Sequence, residues 1–158
     1  MDKEPSAQSL STLKRVIHDA FDGVRLGNGV GLWEGQAIDD YTTGALRQQA
    51  RDRDEKAIWS TITADDLNRC ASSLSFTDAE GMRFLLPAYM LLEVNGLDET
   101  GSLIFHLTKN CGDTFSALDQ AQRDAVYDFL RWCSHQPIYE YERDDMLKAM
   151  DQFWSLKT

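Results

Sequence analysis

The sequence predicts an all-α domain of about five to seven helices around a central helix that contains a proline. An α+β fold with a very small sheet is the alternative. Three observations carry this. Apolar residues recur at three- and four-residue steps in several separate segments, the period of an amphipathic helix. The longest apolar run, Phe84 to Leu92, spans nine residues, includes Pro87 and follows a helix-start pattern. Only "AIWSTI" (57–62) and "SLIFHLT" (102–108) are ambiguous between helix and strand, and helical neighbours favour helix for the second.

The first helix is expected to begin at Ser9 or Ser11, with Leu10, Leu13, Ile17, Ala20 and Phe21 as its apolar stripe and Gly23 as its stop. "RLGNGVGLWEG" (25–35) then crowds four glycines into one loop. A second helix is expected over 35–51, its polar end "RQQARDRDEK" projecting into solvent. Thr63 opens the next as N-cap, followed by Asp65 and Asp66, whose charges suit a first turn. Thr77 and Glu80 match a capping box, with Phe76 as a staple, ahead of the central helix that Gly96 ends. Pro87 removes one backbone donor inside it, so a kink is expected there. A later helix is capped by Ser116 and stopped by Pro137. The last carries Met146, Leu147, Met150, Phe153 and Trp154 at helical spacing.

The length of 158 residues fits one domain over 1–158, with residues 1–8 expected to be disordered. A membrane span needs roughly 20 apolar residues, more than any run here, so no membrane association is expected. The start "MDKEPSAQSL" lacks the apolar centre of a signal peptide. Three cysteines, an odd number without close spacing, fit free thiols in a reducing compartment. Both observations point to the cytoplasm.

Sixteen basic against twenty-six acidic residues give a net charge of −10. Phosphate backbones repel such a surface, which disfavours nucleic acid. Between Glu93 and Asp145 stand eleven acidic residues and four basic ones, a balance that suits a basic protein partner and speeds its capture.

Familiar reaction chemistries find little support. The glycine loop lacks the lysine and hydroxyl of a nucleotide-binding P-loop and the G-x-G-x-x-G of a dinucleotide fold. It reads as a turn; an anion or a partner's carboxylate on the amides of the helix that follows is the alternative. Glu34, Asp39 and Asp40 do not converge from one helix, because five- and six-residue steps rotate them by roughly 140° and 240°. Cys133 and His135 diverge on one helix, whereas His106 and Cys111 lie within reach of one loop. No G-x-S-x-G or H-E-x-x-H occurs, and the histidines and cysteines lack zinc-site spacing, so neither metal nor cofactor is expected.

"GVGLWEGQAIDDY", "DEKAIWSTITADDLNRCASSLSFTDAEGMRFLLPAYML" and "QRDAVYDFL" resemble a bacterial family of small, mainly helical proteins of unknown function. Its members carry an F-R-x-x-L-P-A-Y segment, here shifted within "MRFLLPAYM". The resemblance covers roughly residues 21–132 and implies a bacterial, cytoplasmic origin. It brings no site residues.

The reading that follows is a non-catalytic acidic module that binds a basic protein. Its expected contacts are Trp33, Glu34, Asp39, Asp40, Trp59, Glu140, Glu142, Asp144 and Asp145. An immunity protein that neutralises a basic toxin has this size, acidity and helical content. The competing readings are a metal-assisted hydrolase built on Glu34, Asp39, Asp40 and Glu80, and a small-ligand sensor using the glycine loop.

Overall fold

Three side chains set where helices begin. Thr63 accepts from the amide of Asp66, Asp78 from that of Gly81, and Asp119 from that of Gln122. Each satisfies an amide that the first turn leaves without an internal partner. A computed structural model describes residues 7–157, and all its regular structure is helical. It contains α1 (Ala7–Ala20), α2 (Leu32–Asp39), α3 (Gly44–Arg53), α4 (Ala64–Arg69), α5 (Ala79–Val94), α6 (Ser102–Lys109), α7 (Gln120–Ser134) and α8 (Arg143–Ala149). A π-helical turn, Met150–Trp154, extends α8. The expected disorder of residues 1–8 lies outside the described residues as far as residue 6; Ala7 already opens α1.

The all-α expectation holds, and the differences are local. The helix expected over 35–51 is two helices, parted by Tyr41 at φ 59° and Gly44 at φ 60°. Residues 102–109 are helical, while 57–62 contains a 3-10 turn, Trp59–Thr61. The cap of α5 is Asp78 rather than Thr77, whose hydroxyl is engaged by Val30 across the fold. Phe76 stays substantially exposed and is no staple. α7 is capped by Asp119 in a capping box with Gln122, so Ser116 falls in the turn before it.

α5 supplies much of the centre. Met82, Phe84, Leu85, Leu86 and Met90 are completely buried, and Pro87 sits inside the helix without ending it. Each such side chain contributes about 1.5–3 kcal/mol by leaving water. α1 packs on α5 and α7, α4 on α5, and both α6 and α7 on α8. Trp154 closes this end, its indole N–H donating to Leu107 O at 2.9 Å. α3 differs from these, because none of its residues is buried and its main helical neighbour is α2.

Candidate partner-binding surface

Polar contacts explain how so polar a helix as α3 is held. Arg47 and Arg51 both reach the Glu34 carboxylate at 3.1 Å, and Arg51 also donates to Gly29 O at 2.6 Å and Gly27 O at 3.1 Å. Asp54, just beyond α3, accepts from the amides of Trp33 at 2.6 Å and Glu34 at 3.2 Å. Burial pushes the Asp54 carboxyl up even against these two donors. Thus the free amides of the α2 start do hold a carboxylate, and it belongs to the chain itself.

The glycines serve this packing. Gly31 faces Asp54 so closely that a methyl group would overlap the carboxylate. Gly29 crosses the start of α5, where a side chain would lie 2.6 Å from the Gly81 amide. Thr77 donates to Val30 O at 2.6 Å, and Asp78 accepts from Val30 N at 3.0 Å, fixing the loop from the α5 side. Asp54→Ala is expected to strand two α2 amides and cost about 2 kcal/mol of stability, read by urea denaturation.

This architecture takes two expected contacts, Glu34 and Trp59, off the surface and partly covers a third, Trp33. Glu34 is 8 % exposed and neutralised by two arginines, so it offers no free charge. Trp59 is 5 % exposed, its indole donating to Phe21 O at 2.9 Å, and is a core residue rather than an anchor. Trp33 is half-buried, with the Arg53 guanidinium 3.5 Å above its ring. A cleft of about 230 Å³ opens beside it, with Arg53, Asp54, Glu55, Ile62 and Asp66 among its walls. Its buried acid already serves as the α2 cap.

Asp39 and Asp40 end α2 next to Tyr41, which is 93 % exposed yet held in the left-handed region. That conformation costs a non-glycine residue about 1–2 kcal/mol, and so exposed a ring recovers little by packing. Tyr41→Gly is therefore expected to raise stability by about 1 kcal/mol in thermal melts.

The expected acids of the other end lie in the link from α7 to α8, with Glu140 and Glu142, and in the first turn of α8, with Asp144 and Asp145. A 3-10 turn, Pro137–Tyr139, turns Tyr139 inward against the core and leaves Ile138 79 % exposed. Tyr141 follows at 92 %, and Leu147 on α8 is about half exposed. Glu140, Glu142 and Asp144 are exposed and have no ion pair among the described residues, whereas Asp145 is bound to Lys109 at 3.1 Å. Arg143 anchors the stretch by donating to Ser134 O at 2.5 Å. Large apolar groups fringed by free carboxylates give a surface suited to a basic partner. Composition marked the acids; Ile138 and Tyr141 were missed because sequence spacing does not say which large apolar side chains a turn leaves in solvent.

The chain also holds a constellation that sequence spacing did not reveal. His106 on α6 lies 3.3 Å from Ser75 Oγ and 3.1 Å from Asn110 Nδ2, rather than beside Cys111, whose thiol donates to Leu107 O. The imidazole therefore bridges Asn110 at the end of its own helix and Ser75 across the fold. Burial lowers the His106 pKa, in keeping with a neutral ring. The amides of Ser75, Phe76 and Thr77 are already bonded to Ser72 and Ser73 carbonyls. This arrangement ties α6 to the turn before α5, where the engaged amides leave no local oxyanion donors. Burial likewise pushes all three thiols up, Cys70 to about 12.

No group of three or more His, Cys, Asp or Glu side chains gathers for a metal among the described residues. Within them, no helix is long and apolar enough to cross a membrane. The sequence profile of a family of unknown function, DUF6714, matches residues 9–158. The chain belongs to this family. No curated protein and no solved structure matches it. The DUF6714 match extends over all eight helices apart from the first two residues of α1, so both the glycine-loop assembly and the 138–147 surface lie within the family's span.

Proposed function

We propose that this DUF6714 protein is a non-catalytic, cytoplasmic binding module that captures a basic protein on the surface formed by residues 138–147. The observation that carries this reading is the exposure of Ile138 and Tyr141 among the unpaired Glu140, Glu142 and Asp144. An aromatic anchor supplies contact area at low entropic cost, and the surrounding carboxylates steer a cationic partner into place. The finer version is an immunity role, in which the captured protein is a basic toxin; the net charge of −10 favours it.

The hydrolase reading loses its central acid, because Glu34 is enclosed by Arg47 and Arg51. The sensor reading loses its anion site, because Asp54 occupies it. A phenylalanine-based photo-crosslinker at position 141, which keeps an aromatic ring at the anchor, tests the proposal in the full chain expressed in its host. The expected adduct joins one protein through a surface rich in lysine and arginine. Under the immunity version that protein is toxic to cells lacking this chain. Adducts only with neutral or acidic proteins, or none at all, would overturn the proposal.

A further inference from the structure

The binding turn has an unusual support beneath it. Tyr139 donates its hydroxyl to Glu93 Oε1 near the end of α5, while Glu93 Oε2 is buried beyond the reach of any donor. The Glu93 carboxyl also meets another acid, Asp98, in the loop before α6. Two carboxylates cannot hydrogen-bond unless one is protonated. Asp98 is the ionised member, because it accepts from the Thr100 amide, the Thr100 hydroxyl and the Gly101 amide, each at 3.1 Å.

We infer that Glu93 is a positioning residue, a neutral acid that donates to Asp98, accepts from Tyr139 and thereby holds the binding turn in place. The inference rests on the binding role proposed for residues 138–147. The groups facing Glu93 are Asp98 from the α5–α6 loop, Cys133 from α7 and Tyr139 from the turn; Tyr89 lies on the Asp98 side. Glu93 itself forms no ion pair among the described residues, so no bound cation offsets a charge on it. Burial first, then Asp98, pushes the Glu93 carboxyl up to about 9. Burial raises Asp98 as well, but the bonds from Glu93, Thr100 and Gly101 outweigh it and hold that carboxyl low.

The sign of the resulting pH dependence is opposite to that of an ordinary ion-paired carboxylate. Between the unfolded value of 4.5 and about 9 the folded state holds one proton more than the unfolded state. The stability that this proton confers is complete below 4.5 and is lost as pH rises towards 9. Above that, Glu93 ionises in the folded protein and faces the Asp98 charge directly.

The experiment measures binding of an acetylated, amidated octa-arginine peptide by fluorescence anisotropy from pH 7 to 10. Arginine keeps its charge across this range. Wild type and Glu93→Gln, which retains a donor for Asp98, are compared with each affinity normalised to its own value at pH 7. Through about pH 9 the wild type is expected to weaken about tenfold while Glu93→Gln does not, as the loss of a preorganised contact surface requires. Superimposable profiles would overturn the inference. A triple variant, Glu140→Lys, Glu142→Lys and Asp144→Lys, shows separately whether the surface binds at all. If it matches wild type at pH 7, the binding role fails, and urea denaturation then decides the shared proton alone. Loss of the stability slope between pH 5 and 9 in Glu93→Gln supports it, and an unchanged slope overturns it.

Discussion

Gly81→Ala is expected to destabilise the protein by about 3 kcal/mol, an effect as large as overpacking a core. The new methyl group would overlap Thr77 Oγ1 and the Val30 carbonyl oxygen, and neither is the free end of a flexible side chain. Val30 O is held by Thr77, and Val30 N by Asp78, so relieving the overlap breaks the bonds that seat the glycine loop on α5. The shift propagates to Gly29, whose carbonyl receives Arg51, and from there to the Glu34 cluster. Urea denaturation of Gly81→Ala reads the loss directly. An exposed glycine with open space around it, Gly112, provides the control, and alanine there is expected to cost far less.

The second large effect concerns binding. Tyr141→Ala is expected to weaken partner binding by at least about 2 kcal/mol, roughly thirtyfold, with folding unchanged. The ring is 92 % exposed, so its removal takes little from the fold, while an anchor central to an interface carries a large share of the affinity. Calorimetric titration with the crosslinked partner, paired with a thermal melt, separates the two quantities. A comparable loss of stability would show that Tyr141 supports the fold instead.

Much of the fold was legible because helix formation is local. The α1 stripe, the Thr63 cap, the apolar α5 and the terminal aromatic helix follow from periodicity and capping within a few residues. Two of the misplaced features involve partners distant in the chain. Thr77 is drawn from its capping role by Val30, forty-seven positions away, and Trp59 is drawn into the core by a carbonyl thirty-eight positions away. The break at Tyr41 was hidden because a left-handed tyrosine has no sequence signature comparable to glycine.

The candidate surface divides along the same line. Charge density could be counted along the chain, and it marked Glu140, Glu142 and Asp144. Whether an acid is free or enclosed depends on which arginines fold onto it, so Glu34 looked like Asp39 in the sequence and behaves differently in the structure. The glycine-rich "RLGNGVGLWEG" illustrates the point. Its glycines admit close passage past Gly81 and Asp54, and the loop's contacts are with its own chain.

The central claim is that a localised acidic, aromatic surface, rather than overall acidity, captures the partner. Two triple variants with equal net charge test it most directly: Glu140→Lys, Glu142→Lys and Asp144→Lys on the surface, and Asp19→Lys, Asp22→Lys and Glu99→Lys at exposed positions elsewhere. The dissociation constant of each is measured against the partner crosslinked at position 141, at fixed ionic strength. The surface variant is expected to lose binding while the second stays close to wild type. Equal weakening of both would contradict a localised surface and leave only the general field of an acidic protein.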